Sequence, residues 1–442
     1  MSSGPFDIAT ALEWLDSHLD HESSSAGVAA GRVEGLSIEP MRELVALLGD
    51  PQDAMPVIHV TGTNGKGSVV AILRRLLMAN GLSVGTFTSP HLGRPHERIA
   101  RDGVPISDPD LAEALSGVAS VESMLGAPPS WFEVITAAAF RWFADAPVDV
   151  AVVEVGLLGR YDATNVVTAD VAVVTGIAGD HTDFAPGWEL AVAEEKAGIV
   201  TPGRPVVLGD VATPLWEVFE AEGAEPVLAL GRDFEVLDAR LAVGGRMLDL
   251  SGPHGSHAGV LLGLHGEHQA TNAAVAVTAA EEFFGRGLTD EVVTEAFAEV
   301  DLPGRLEVAA HHPLVVLDVA HNPDALRAVA STLDDDFSVA GSRIIVFAML
   351  AGRDLDEAAA ALAVARPDLV VCTSIGEGAR AVAATELATA VEATGVASEA
   401  VDDPTDALAA ALSRASEEDL VLVCGSARLV GHLRGVIADS VR

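Results

Sequence analysis

Lysine is almost absent from this chain. Of the 26 basic side chains in 442 residues, only Lys66 and Lys196 are lysine, and the other 24 are arginine. Arginine can replace lysine on a solvated surface, but not where a compact ammonium or a reactive amine is needed. The two survivors are therefore candidates for chemistry. Cysteine is as scarce: Cys372 and Cys424 each sit in an apolar run and read as isolated buried thiols, not a disulfide or a metal pair. No apolar run approaches the ~18 residues of a membrane span, and the stretch 148–159 is broken by Asp149 and Glu154. The first twenty residues carry early acids and lack a basic-then-apolar signal pattern, so a cytoplasmic protein is expected. Basic charge is deficient overall. A formal net charge of −39 argues against nucleic-acid binding. The same field repels anionic substrates, so a site for them must be locally rich in donors and metal. A salt-adapted host would also account for the acidity.

The length exceeds one ordinary core and reads as two domains, 1–303 and 304–442, divided at Leu302-Pro-Gly-Arg305. Residues 21–32 read as a polar loop. From Pro56 the pattern runs strand (56–60), glycine loop (61–68), helix (68–80) and strand (82–86), with Gly81 as the helix stop. Residues 148–155 and 171–177 are continuous apolar strands, as in a parallel sheet covered on both faces. Residues 227–260 read as a small antiparallel excursion. After the boundary come strands at 314–319, 343–347, 369–373 and 420–424, with helices at 324–333 and 356–365. The expected class is α/β: a P-loop, doubly wound, mostly parallel sheet in the N-terminal domain, and a smaller Rossmann-like C-terminal domain.

The strongest chemical signal is the loop Gly62, Thr63, Asn64, Gly65, Lys66, Gly67, Ser68 between a strand and a helix. Glycines let backbone N–H groups approach phosphates, and the helix N-terminus adds a positive dipole. Lys66 can reach β/γ oxygens, and Ser68 can face Mg²⁺ or a phosphate. The spacing differs from the common P-loop pattern because Gly67 separates lysine from hydroxyl. Glu154 ends a buried strand, where open α/β sheets hold their ligands.

Further motifs follow in order: Phe87-Thr-Ser-Pro-His-Leu92, Glu97-Arg98-Ile99, Glu154-Val-Gly-Leu-Leu-Gly-Arg160, Asp162-Ala-Thr-Asn165, Gly179-Asp-His-Thr182, Glu195-Lys-Ala-Gly198, His268-Gln269, Asn272, Pro303-Gly-Arg305, Asp318, His321-Asn-Pro323 and Gly425-Ser426. The variant loop resembles that of the Mur ligase superfamily. The ordered set, over about residues 33 to 430, resembles the folylpolyglutamate synthase/dihydrofolate synthase family within it.

That resemblance implies an ATP-dependent ligase of folate biosynthesis. Such an enzyme activates a carboxylate as an acyl phosphate and joins L-glutamate to dihydropteroate, to (polyglutamyl) tetrahydrofolate, or to both. It implies Mg²⁺ at two sites, with Ser68, Ser89, Glu154 and His181 as ligands, and K⁺ as a further cation. Lys196 matches a lysine that the superfamily converts to a carbamate, an anion that arginine cannot provide. Lys66, Lys196, His181 and Glu154 form the expected catalytic set. Asn272, Arg305, Asp318 and His321 join the loop as ATP contacts, and Phe132, Glu133, Tyr161, Asp162, Ala163 and Ser426 are carried over as substrate contacts. Domain closure about residues 302–304 would assemble the two sites. A monomer is the family expectation.

One departure stands out. The family has a glycine where this chain has Leu158, and a leucine is not expected to hold a positive φ. Arg353-Asp354 replaces a lysine–aspartate pair. Two other readings remain: another Mur-type ligase, such as a cell-wall peptide ligase, which would need a UDP-binding domain ahead of the loop; and a silent nucleotide-binding paralogue. The two retained lysines argue against the second, and Leu158 favours it.

Overall fold

Strands buried along their whole length require apolar side chains on both faces, and the sequence supplies them in continuous runs. The structure, a computed structural model, describes residues 6–19, 37–179, 186–375 and 381–440. The first sheet contains β1 (Val57–Thr61), β2 (Val84–Phe87), β3 (Ile99–Arg101), β4 (Val104–Pro105), β5 (Val150–Glu154), β6 (Val171–Gly176), β7 (Val206–Asp210) and β8 (Val227–Ala229). Their order is β4-β3-β2-β5-β1-β6-β7-β8. From β2 to β8 all pairs are parallel, and the β2–β3 and β3–β4 pairs form an antiparallel edge.

Alternation along these strands feeds two cores. Ile58, Val60, Val150 and Val152 pack on the helices Lys66–Ala79 and His268–Phe284. Val57, Ala151 and Val153 pack on the helix Trp131–Asp145 and its neighbours on the opposite face. The antiparallel excursion is present as β9 (Glu235–Ala242), β10 (Gly245–Gly252) and β11 (Gly255–Leu262), in the order β11-β10-β9, but it starts later than expected: Val227–Ala229 is β8, which pairs parallel with β7 as the edge of the first sheet.

The third sheet comprises β12 (Glu307–His311), β13 (Leu314–Leu317), β14 (Arg343–Phe347), β15 (Leu369–Cys372), β16 (Ser398–Ala400) and β17 (Leu420–Cys424), in the order β12-β13-β17-β14-β15-β16. It is parallel except for the β12–β13 pair. Both cysteines are buried free thiols in this sheet, as the sequence implied.

This second sheet-and-helix layer docks on the first through the helix Pro323–Asp335, which is held at both ends. At its start, the Asn322 amide donates to Asn64 Oδ1 in the glycine loop at 3.0 Å. At its end, Asp336 pairs with buried Arg246 of β10 and accepts the Gly266 N–H at 2.7 Å. The helix Ala427–Ser440 approaches through Gly431, where a Cβ would lie 1.9 Å from the Leu92 carbonyl oxygen.

Candidate active site

The glycine loop leaves β1 at Thr61 and enters the helix Lys66–Ala79. Two of its glycines are required by their surroundings. Gly62 has φ +149°, and a Cβ there would sit 1.8 Å from Thr175 Oγ1. Gly65 has φ +84°, and a Cβ would sit 2.5 Å from Asn272 Oδ1. The loop is braced from β6 and beyond: the Thr175 hydroxyl donates to the Asn64 carbonyl (2.5 Å), the Thr63 N–H to the Gly176 carbonyl (3.0 Å), and the Ala178 N–H to Thr63 Oγ1 (3.0 Å). Asn272 lies over the loop and donates to Gln269 Oε1 at 2.9 Å. Lys66 Nζ folds back onto the Gly62 and Thr63 carbonyls at 3.1 and 3.3 Å. Phosphate oxygens would offer that ammonium stronger, charged acceptors.

Beside the loop stands Glu154, the last residue of β5 and only 3 % exposed. Its Oε2 accepts the Ser89 N–H at 3.3 Å and lies 3.8 Å from where a Gly67 Cβ would be. Burial pushes its carboxyl up to about 6, against the opposing pull of Lys66, the Ser89 N–H, Arg305 and Arg98. A desolvated carboxylate whose pKa stays high despite three neighbouring cations is suited to a divalent cation. The donors at hand are oxygens: the Glu154 carboxylate and the hydroxyls of Ser68, buried in the first helical turn, and Ser89. Among the described residues no group of three or more His, Cys, Asp or Glu could hold a metal. Water and phosphate oxygens would complete the shell, as Mg²⁺ prefers. His181, expected as a ligand, lies outside the described residues, with Asp180 and Thr182.

The expectation for Leu158 is corrected here. Leu158 does adopt the left-handed conformation, with φ +57°. Its carbonyl accepts the Thr61 hydroxyl at 2.6 Å, and the Leu157 N–H is held by Asp162 Oδ2 at 2.8 Å. The left-handed region costs a leucine ~1–2 kcal/mol. Its side chain is 7 % exposed and clusters with Val192, and Leu157, Ile177, Trp188 and Ala191 pack against that pair; burial of a leucine is worth ~1.5–3 kcal/mol, enough to offset the strain. The loop beside Glu154 therefore keeps a left-handed turn, which removes the support this residue lent to a silent paralogue.

Asp162 serves that loop. Besides Leu157, it accepts the Thr164 N–H (3.0 Å) and hydroxyl (2.5 Å). Its pKa is raised by burial, against those hydrogen bonds. Thr164 in turn contacts His59 Nε2 at 2.9 Å, and burial pushes that imidazole down to about 3, so it stays neutral. Ala163 is buried and Tyr161 is 41 % exposed. Lys196 is buried in the last turn of the helix Trp188–Ala197.

Phe132 packs on Gly156, where a Cβ would lie 2.5 Å from the ring. Glu133 forms a capping box with Ser130, its carboxylate accepting the Ser130 N–H at 2.7 Å. A substrate contact from Glu133 would compete with this cap. Sequence reasoning missed Arg98. It is buried, stacks over Trp131 at 4.7 Å, donates to His91 Nδ1 at 2.9 Å and bears electrostatically on Glu154.

From the third sheet, Asp318 accepts the Leu306 N–H (2.9 Å) and the Ala320 N–H (2.7 Å), fixing the junction that carries Arg305. Burial raises its pKa, and Arg305 opposes the shift. His321 Nδ1 contacts the Val319 carbonyl at 2.8 Å, and Arg353 donates to the His321 carbonyl at 3.0 Å. Ser426 is buried at the start of the last helix. Sequence reasoning missed Thr175 and Asn322 as loop-bracing residues. Asn322 stood inside a quoted motif, but its partner Asn64 is 258 residues away.

A phosphate-cradling loop, a buried carboxylate beside its lysine, and a second Rossmann-like unit docked on that loop define an ATP-dependent ligase of the two-domain Mur type. Residues 304–427 match the family described as Mur ligase, glutamate ligase domain. The chain is 41% identical to the dihydrofolate synthase/folylpolyglutamate synthase of Mycobacterium tuberculosis, over 74% of this chain and 72% of that protein. It is 35% identical to the Escherichia coli protein of the same name, over 91% of each. Among solved structures, M. tuberculosis folylpolyglutamate synthase complexed with ADP and AMPPCP superposes with a TM-score of 0.88, at 36% identity and 98% coverage of both chains. E. coli FolC in complex with DHPP and ADP gives 0.86, at 30% identity over 100% and 99%. A bifunctional folylpolyglutamate synthase/dihydrofolate synthase with Mn, AMPPNP and L-glutamate bound gives 0.85, at 29% identity over 99% and 98%. The chain belongs to the dihydrofolate synthase/folylpolyglutamate synthase family, whose members are ATP-dependent glutamate ligases of folate metabolism.

Proposed function

We propose that this chain forms an acyl phosphate on the free carboxylate of dihydropteroate, of a (polyglutamyl) tetrahydrofolate, or of both, and passes the acyl group to the amine of L-glutamate. The observation that carries the proposal is the buried Glu154 carboxylate beside Lys66, Ser68 and Ser89. Two anions, the acceptor carboxylate and the γ-phosphoryl group, must meet before they can react. Lys66 would swing from the loop carbonyls to the β/γ oxygens, and the N–H groups at the start of the helix would hold the phosphates. Mg²⁺ held by Glu154, Ser68 and Ser89 would supply the remaining neutralisation. Complexes of similar proteins with DHPP and ADP, and with Mn, AMPPNP and L-glutamate, support this substrate set.

In this reading Lys196 acts as its carbamate, His181 belongs to a second Mg²⁺ site, and K⁺ is an additional cation. Asn272, Arg305, Asp318 and His321 serve the nucleotide side. Phe132, Glu133, Tyr161, Asp162, Ala163 and Ser426 serve the substrates. The domains divide at residues 303 and 304, and the enzyme works as a monomer in the cytoplasm. No helix among the described residues is long and apolar enough to cross a membrane.

The test is isotopic. With the acceptor carboxylate labelled with ¹⁸O, turnover through an acyl phosphate transfers one ¹⁸O to the released phosphate. Phosphate without label would contradict the mechanism.

A further inference from the structure

We propose that Leu158 is a positioning residue: its side chain is a strut that locks the loop 156–162, on the acceptor side, to the helix that carries Lys196. The proposal rests on the acceptor reading above.

The loop and the helix Trp188–Ala197 meet along one seam. A Cβ on Gly159 would lie 2.6 Å from the Glu195 carbonyl oxygen and 3.1 Å from the Lys196 Cα. The Arg160 N–H donates to the Glu195 carbonyl at 2.8 Å, and its guanidinium donates to the Glu194 carbonyl at 2.9 Å. Asn165 Nδ2 reaches the Gly198 carbonyl at 2.9 Å. All of these contacts fall at the C-terminal half of the helix. At its N-terminal half the contact is apolar and small: Leu158 and Val192 are its buried members, with Trp188 and Ala191 beside them.

The opposite side of Leu158 is fixed as well. Thr61, the residue before the glycine loop, holds its carbonyl, and Asp162 holds the preceding N–H. Leu158 therefore sits between two anchored bodies, the strand that feeds the phosphate loop and the helix of Lys196. A glycine would satisfy the φ of +57° without strain, but it would leave Val192 without its buried partner. This chain accepts an unfavourable backbone conformation and keeps the side chain. The gain is a fixed distance between the acceptor loop and Lys196, and small displacements of that kind are costly in a reaction that depends on alignment.

The experiment uses the full chain with Leu158→Ala, Leu158→Gly, Leu158→Met, Val192→Ala and the double variant Leu158→Ala/Val192→Ala. Initial rates give KM for the pterin acceptor, ATP and glutamate, and amide hydrogen exchange follows residues 156–165 and 188–197. The expected result is an acceptor KM raised about tenfold in Leu158→Ala and Leu158→Gly, with the ATP KM nearly unchanged; Tm should fall in Leu158→Ala, which loses the burial and keeps the strain, and fall less in Leu158→Gly, which relieves the strain. Leu158→Met should restore the acceptor KM, and the double variant should be no worse than the singles, as expected for two ends of one contact. Exchange should rise in both segments together. A wild-type acceptor KM in Leu158→Ala, or parallel rises in the KM of all three substrates, would overturn the proposal. If the wild-type protein turned over no pterin, the functional reading would fail, and exchange alone would decide the strut: unchanged protection in Leu158→Ala would refute it.

Discussion

At Glu154 the folded-state carboxyl titrates near 6, against 4.5 for the unperturbed group, and burial is the main cause. A pKa raised on folding means that the group's contribution to stability is full below about 4.5 and is lost as the pH rises through about 6. The loss is ~2 kcal/mol. In EDTA, Glu154→Gln should lack this part of the pH slope and be at least as stable as wild type at pH 8. Its ligase activity should fall ~100-fold or more, on the scale of losing a key electrostatic contact. Urea midpoints at pH 5 and pH 8 check the first part; identical slopes for the two proteins would contradict the burial account. The two lysines make a second test. Replacing either by arginine keeps the charge of the unmodified side chain, and arginine already fills every other basic position. Lys66→Arg and Lys196→Arg should both lose ~100-fold or more in kcat/KM, because the compact ammonium and the reactive amine are gone; Lys66→Arg should keep a near wild-type Tm, whereas Lys196→Arg, at a buried position, should lower it. The glycine loop was legible in the sequence because its residues are neighbours in the chain, and Glu154 because it ends a continuous apolar strand. The conformation of Leu158 was not. Steric preference alone predicts the wrong sign, and the compensating apolar contact comes from Val192, on a different element.

Helices and strands were legible to within a few residues wherever apolar runs were long, as for β14 at Arg343–Phe347 and β17 at Leu420–Cys424. Their docking was not, because it rests on polar pairs far apart in sequence. The helix Pro323–Asp335 illustrates this: it ends on Asp336, whose side chain is fully buried against Arg246 of β10. Removing one partner strands a buried charge, which costs ~3–5 kcal/mol. Asp336→Ala should therefore lower stability by that order. It should also raise the KM for ATP, because the same helix begins at Asn322, which holds Asn64 of the glycine loop. Chemical denaturation and initial rates check both effects; a stable variant with a wild-type ATP KM would mean that the helix is not the coupling element. Glu133 marks the converse limit. Its place three residues after Ser130 spells a helix cap as well as a pocket residue, and the structure gives its carboxylate to the cap.

Over the whole molecule, 65 acidic side chains face 26 basic ones. Such a surface repels itself and its anionic substrates, and salt shortens the range of that repulsion from ~10 Å at 0.1 M to ~3 Å at 1 M. Tm should rise, and the KM for the pterin acceptor should fall, between 0.1 and 1 M KCl. NaCl should match the general part of this effect, and any excess with KCl would report a specific K⁺ site. A Tm that fell with added salt would show that attractive ion pairs, such as Arg434–Glu307 and Arg343–Asp334, outweigh the repulsion.

The central claim is that the loop, Glu154 and the docked second unit together drive an acceptor-dependent ligation. Its most direct test is phosphate release from Mg·ATP by the purified chain, with L-glutamate and either dihydropteroate or tetrahydrofolate, at low and high KCl. The account predicts release that requires both glutamate and a pterin, and the pterin that supports it names the acceptor. ATP binding without pterin-dependent release at any salt would contradict the account.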